Sequence, residues 1–247
     1  MSKKLIVGNQ RELPYAVEEA LNRLRINMSF LGSDIKTILI ISTDPNEGKS
    51  FVATQIWRQM CEAGNLSVLV DADLRNSRMI RDYDLHLEKG KGKKEKIYGT
   101  SSFLAGSGSV EDAIYETNIE NGYILPNADN VINPSMLIES NRFEEMLTAL
   151  AEKFRYVFVD CPPLGLVSDG EQIAHRCDGA ILVVRSGVTG KKRVRTSMAQ
   201  LERAGCPLLG VVMNRAGGTK NSYYSHYGQY GAYYGKYYGS GKGDKES

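Results

Sequence analysis

The stretch "TDPNEGKSF", Thr43 to Phe51, decides the fold. It follows the apolar run "TILIIS" from Thr37 and leads into the helix-like "FVATQIW", so the local order is strand, loop, helix. The stretch matches the phosphate-loop pattern G-x-x-x-x-G-K-[ST] everywhere except the first position, where threonine replaces glycine. In that setting the backbone N–H groups of the loop and of the helix N-terminus point at phosphate oxygens. Thr43, Asp44, Pro45, Asn46, Glu47, Gly48, Lys49, Ser50 and Phe51 are therefore the candidate nucleotide-binding residues. Within them Lys49 adds a point charge, and the Ser50 hydroxyl can ligate Mg²⁺.

Two downstream runs strengthen the assignment. "LVDADLR", Leu69 to Arg75, puts Asp71 and Asp73 two residues apart at the end of an apolar run. "VFVDCPP", Val157 to Pro163, ends in Asp160, and its prolines stop the strand at once. Parallel strands all deliver their C-terminal ends to one edge, so these carboxylates and the phosphate loop converge there. Three aspartates beside a lysine and a serine fit a nucleoside triphosphate with its metal ion. The competing explanation for the aspartates is that they cap solvent-facing turns.

Further β-like runs are "GYIL" from Gly122, "GAILVV" from Gly179 and "LLGVVMN" from Leu208, most of them separated by helix-sized stretches. Their continuous apolar character, without in/out alternation, is that of strands buried on both faces of a parallel sheet. The expected fold is α/β, a doubly wound, mostly parallel sheet of the phosphate-loop NTPase kind, in one domain. Ahead of it, Leu13 to Leu31 carries apolar residues at helical spacing and predicts an amphipathic helix.

The bulk composition excludes several classes. A formal net charge of +2 gives no global basic field for nucleic acid. Cys61, Cys161, Cys177 and Cys206 fall singly, without metal-ligand spacing, which fits a reducing cytoplasm. No apolar run approaches the length of a membrane span. Cys161 reads as a small buried hydrophobe and Trp57 as a core residue.

Two stretches break the rhythm. "EKGKGKKEK", Glu88 to Lys96, holds five lysines and two glycines and reads as a solvated loop. After Asn214 the chain turns into a Gly/Ser/Tyr segment with too few aliphatic residues to build a core. Eight of the 14 tyrosines, Tyr223, Tyr224, Tyr227, Tyr230, Tyr233, Tyr234, Tyr237 and Tyr238, sit there. The organisation expected is thus an N-terminal helix and oligomerisation region over 1–35, a nucleotide-binding domain over 36–216 and a flexible tail over 217–247.

"TDPNEGKS", "VLVDADLR", "VFVDCPP" and the terminal tyrosine cluster, in that order, resemble the bacterial tyrosine kinases that control capsular and extracellular polysaccharide synthesis, in their detached cytoplasmic form. The resemblance covers essentially the whole chain. It departs at Asn46, where the family often has glycine, and in the N-terminal E-x-x-R-x-x-R pattern, which aligns as Glu19, Asn22 and Arg25 with an arginine displaced to Arg23.

The resemblance implies a fold related to partitioning and division-site ATPases, with ATP and Mg²⁺ as cofactors and tyrosine rather than water as acceptor. Lys49 and Mg²⁺ would stabilise the transferring phosphoryl group, Ser50, Asp73 and Asp160 would hold the ion, and Asp71 would take the phenol proton. Asn214 resembles the asparagine with which related ATPases read adenine; a plain strand-ending asparagine is the alternative. The eight tail tyrosines would be the phosphoacceptors, modified between subunits of a homo-oligomer, with a ring expected. From Asn214 to mid-cluster is about fifteen residues, a mean reach of roughly 20 to 25 Å for a flexible chain.

Also implied are a membrane adaptor of the chain-length-determinant type, which would recruit the cytoplasmic protein to the inner face of the membrane, and a phosphotyrosine phosphatase to reset the tail. No nucleic-acid partner is expected. Two other readings remain, an ATPase switch without kinase activity and an ATP-gated regulatory scaffold. Switch ATPases carry an additional lysine early in the phosphate loop, where this chain has Asp44. "KKRVR", Lys191 to Arg195, heads a helix and reads as a solvated face or a surface for an anionic partner.

Overall fold

The computed structural model describes residues 4–10, 12–88 and 96–216. The tyrosine cluster and residues 89–95 of the lysine-rich stretch lie outside the described residues. In chain order the elements are β1 (Lys4–Val7), α1 (Tyr15–Ser29), β2 (Thr37–Ser42), α2 (Lys49–Glu62), β3 (Ser67–Asp71), α3 (Met79–Asp82), β4 (Leu85–Leu87), α4 (Thr100–Leu104) and α5 (Val110–Ala113). There follow β5 (Tyr115–Thr117), β6 (Gly122–Leu125), α6 (Ser135–Glu139), α7 (Asn141–Lys153), β7 (Tyr156–Asp160), α8 (Asp169–Ala174), β8 (Gly179–Arg185), α9 (Lys191–Arg203) and β9 (Leu208–Asn214).

The described strands form one sheet in the order β4-β1-β5-β6-β3-β7-β2-β8-β9. From β6 to β9 every neighbouring pair is parallel, and these six strands are the six apolar runs expected from the sequence. The pairs β5–β6 and β1–β4 are antiparallel. The strands β1, β4 and β5 carry no run that stands out in sequence, because three or four residues are too few to show a period.

The doubly wound character follows from the alternation of side chains along buried strands. On β2, Leu39 and Ile41 point into a core with Phe143, Leu147, Ile173 and Leu201, from α7, α8 and α9. Ile38 and Ile40 point the other way, onto Val52, Ile56 and Trp57 of α2. All six residues of β2 are buried, which is why the run is uniformly apolar. Trp57 is fully buried, and its indole N–H donates to the Ser67 carbonyl at 3.3 Å.

The N-terminal residues join the same body. β1 pairs with β4 and β5, and α1 buries Leu21 and Met28, with Met28 packed in the α2-side core. On α1, Arg23 meets Glu19 at 3.5 Å and Arg25 donates to Asn22 Oδ1 at 2.7 Å, so the departing E-x-x-R-x-x-R residues pair within their own helix. Among the described residues, no helix is long and apolar enough to cross a membrane.

Candidate nucleotide-binding site

The loop between β2 and α2 is built for close approach by a ligand. Gly48 adopts φ +95°, a conformation that favours glycine, and a Cβ there would lie 2.1 Å from Asn214 Nδ2, so that amide would have to move aside. Asn46 is left-handed at φ 61°, a conformation that asparagine tolerates better than most residues and that explains why glycine suits this position. α2 begins without a side-chain cap and without an acidic residue in its first turn, and its first helical residue is Lys49. An uncapped helix start that carries a cation is an anion site.

β3 and β7 are neighbours in register, with Asp71 opposite Asp160, and the Asp160 carbonyl accepts from Ala72 N at 2.8 Å. The strand ends therefore bring two of the three sequence-predicted carboxylates, Asp73 and Asp160, to Lys49, while Asp71 is held beside them by Ser77. The Lys49 Nζ lies 3.4 Å from Asp73 Oδ2, 3.4 Å from Asp160 Oδ1 and 3.3 Å from Ser50 Oγ. The ammonium thus sits among three hard oxygens of the kind that could also hold a divalent cation. Among the described residues no group of three or more His, Cys, Asp or Glu is arranged to hold a metal alone. Mg²⁺ takes one or two carboxylates and completes its shell with water and phosphate, and Asp73, Asp160 and Ser50 are residues that could hold it.

The electrostatics are those of a crowded, half-dry site. Burial works against the charge on Lys49, but Asp160 and then Asp73 outweigh it and hold the ammonium well above its ordinary pKa. Asp71, 1% exposed, is pushed up to about 8, first by burial and then by the Asp160 charge. Ser77 donates a short hydrogen bond to its Oδ2, which Asn127 N also approaches at 3.4 Å, and Asp73 N donates to Oδ1 at 3.3 Å. Asp160 is likewise raised, by burial first, with Lys49 opposing. Cys161, next in the chain, is fully buried and its thiol is pushed up by the same burial, which makes it packing rather than a nucleophile.

These shifts dictate a pH dependence for the nucleotide-free protein. A carboxyl whose folded pKa is raised contributes stability that is complete below its ordinary value of 3.8 and is lost as pH rises through about 8. Lys49 stays charged across that window and does not contribute to the slope. Thermal unfolding followed by circular dichroism without nucleotide should give a Tm lower at pH 9 than at pH 6 by about 4 °C or more. A Tm that is flat or rises over this range would show that Asp71 does not titrate near pH 8 in the folded protein.

The surroundings are completed by the Arg75–Asp169 pair, which sequence reading missed, and by Asn214 and the "KKRVR" run, which it named. Arg75 makes two hydrogen bonds to Asp169, at 2.5 and 3.0 Å, and Asp169 also accepts from Ser135 Oγ at 3.0 Å, tying the segment after β3 to α8. Arg75 directly follows the aspartate-rich run, but its partner lies 94 residues away and has no motif of its own. Asn214 sits at the end of β9 with Nδ2 donating to the Glu47 carbonyl at 2.9 Å and Oδ1 accepting from Arg215 N at 2.8 Å. Within "KKRVR", Lys191, Lys192, Arg193 and Arg195 are all exposed, and Arg193 also makes a close ion pair with Asp44 of the phosphate loop.

No family model matches the chain. Individual proteins do. The tyrosine-protein kinase CpsD of Streptococcus pneumoniae is 35% identical over 228 residues, covering 92% of this chain and 97% of that protein. Among solved structures, the chimerical protein CapA2B2 superposes with a TM-score of 0.73 at 27% identity, covering 85% of this chain and 93% of the other. The cell division ATPase MinD of Pyrococcus furiosus gives a TM-score of 0.62 at 26% identity over 75% of this chain and 74% of its own. Identity of 35% over nearly the full length of both chains places the chain in the CpsD-type family of bacterial tyrosine-protein kinases.

Proposed function

We propose that the protein transfers the γ-phosphoryl group of ATP to the tyrosines of its own C-terminal cluster, between subunits, and thereby regulates capsular or extracellular polysaccharide synthesis. The observation that carries this reading is the convergence of Lys49, Ser50, Asp73 and Asp160 within 3.4 Å at the mouth of an uncapped helix. Bound Mg·ATP would supply the phosphoryl group and the cation that neutralises charge on its oxygens.

The chain's own residues do the rest. With nucleotide bound, the Lys49 ammonium would serve the phosphates, and Asp73, Asp160 and Ser50 Oγ would hold the ion. Loop residues Thr43 to Phe51 set the phosphate position through the backbone. Asp71 takes the proton from the tyrosine Oη; a carboxyl with a proton affinity near neutrality is matched to that task. Asn214 reads the base when its amide is released from Glu47. The tail leaves β9 at Asn214, which touches the phosphate loop, so the acceptor segment starts beside the site. Eight phosphotyrosines would add about −12 to −16 charges, enough to push subunits apart and to make the extent of phosphorylation the signal.

In this scheme residues 1–35 supply the oligomer contact, 36–216 the kinase and 217–247 the acceptor. The partners are a chain-length-determinant adaptor that recruits the protein to the inner face of the membrane and a phosphatase that resets it. An ATPase switch is disfavoured by Asp44, which stands where such switches carry a lysine and is paired with Arg193.

The test mixes a full-length Lys49→Met protein with active protein truncated after residue 216, in Mg·ATP, with and without a candidate adaptor segment. Mass spectrometry should find phosphate on Tyr223 to Tyr238 of the inactive partner. ATP hydrolysis with unmodified tyrosines under all conditions would favour the switch.

A further inference from the structure

Three polar side chains at which the phosphate loop carries no motif residue are each held by one residue of the segment from Thr189 to Ser197. The Thr189 hydroxyl donates a short hydrogen bond to Glu47 Oε1 while accepting from Arg185 N at 2.9 Å. Arg193 pairs with Asp44. Ser197 Oγ donates to Thr43 Oγ1 at 3.1 Å, and both residues are buried. The three are spaced by four residues, so one stripe running from the β8–α9 loop onto α9 lies along the loop. A fourth contact adds to these beside the Asp44–Arg193 pair. Gly165 N donates to the Thr43 carbonyl at 2.9 Å, and a Cβ at Gly165 would come within 2.6 Å of that oxygen and 3.2 Å of Arg193 and Asp44.

The chemistry of the loop explains why such a brace is required. A loop that receives a polyanion here carries two carboxylates of its own, Asp44 and Glu47. Glu47 is 3% exposed, and both its oxygens are satisfied, Oε1 by Thr189 and Oε2 by Asp44 N at 2.9 Å. Asp44 is offset by the Arg193 guanidinium. Without these partners the carboxylates would repel phosphate and the loop would have to be ordered on binding, a cost that preorganisation removes.

We infer that Thr189, Arg193 and Ser197 are positioning residues for nucleotide, which hold Thr43 to Glu47 in the phosphate-receiving conformation and couple the placement of α9 to ATP affinity. The inference rests on the proposal that the site binds ATP. It explains the threonine at the first motif position, whose hydroxyl is an anchor point, and it gives Arg193 a partner in its own chain.

The full-length protein is titrated with a fluorescent ATP analogue and Mg²⁺, and nucleotide-free Tm is recorded for each variant. Thr189→Val should weaken binding about tenfold or more and Thr189→Ser should restore it to within about twofold, with Tm shifts of a few degrees at most. Arg193→Gln should weaken binding about fivefold, and adding Asp44→Asn should recover most of the loss, because the unpaired carboxylate is then gone. Should Thr189→Val unfold the protein, the Asp44/Arg193 pair decides alone. Wild-type affinity in Thr189→Val and Arg193→Gln, or losses that Thr189→Ser and Asp44→Asn do not repair, would overturn the inference while leaving ATP binding intact. Failure of the wild type itself to bind would overturn the functional reading, and this inference with it.

Discussion

Lys49→Met should abolish tyrosine phosphorylation, lowering the rate about 10³-fold or more, since the residue is placed to stabilise the charge of the transferring group. The same substitution has a second signature that separates electrostatics from misfolding. In the nucleotide-free protein the ammonium faces Asp160 and Asp73 at 3.4 Å, and both are largely shielded from solvent. Methionine leaves those carboxylates without their cation, which removes the interaction that opposes the upward shift of Asp160 and weakens the folded state wherever that buried group must ionise. Tm should therefore fall at pH 8 and recover toward wild type at pH 5, where protons replace the lost charge. Calorimetry across that range checks it. Retained tyrosine phosphorylation in Lys49→Met, or a loss of Tm that is independent of pH, would contradict the arrangement.

Asp71→Asn should lower kcat by about 10²-fold or more if this residue takes the phenol proton, with ATP affinity changed only a few-fold. It should also flatten the fall of Tm between pH 6 and 9, because the buried group that titrates near pH 8 has been removed. Asp73→Asn and Asp160→Asn provide the contrast, since a weakened ion site raises the Mg²⁺ concentration needed for half-maximal rate. Asp71 is the most buried of the three carboxyls, whereas the Asp73 side chain keeps 13% of its surface exposed. A normal rate in Asp71→Asn with a large loss in Asp73→Asn that added Mg²⁺ does not relieve would move the base to Asp73. Single-turnover phosphorylation over a Mg²⁺ series distinguishes these outcomes.

Much of this architecture is local and so is written in the chain. The six apolar runs are the six strands of the parallel part of the sheet, and for β2, β3, β6, β7 and β8 the reason is that a strand covered on both faces is apolar at nearly every position; β9, at the sheet edge, is apolar in sequence yet leaves Val211 and Met213 exposed. Thr43 to Phe51 is legible for the same kind of reason. A loop that wraps phosphate needs glycine at Gly48, a cation at Lys49 and a hydroxyl at Ser50, in fixed order within a few residues. The three aspartates follow from the rule that parallel strands end at one edge.

Tertiary structure alone decided which strands are neighbours, and therefore that Asp71 lies opposite Asp160 with Lys49 beside it, since pairing between segments 89 residues apart leaves no mark on either. It also decided the short strands β1, β4 and β5, which are held by pairing rather than by their own composition. Most of all it decided the fate of Asp44 and Arg193. In sequence one is a departure from a motif and the other belongs to a basic run; only the packing of α9 against the phosphate loop, across 149 residues, makes them a pair. The sequence by itself determined the chemistry at each strand end, because that chemistry depends on residue type and spacing. Which groups share a charge or a proton depends on distance in space, and only the fold sets that.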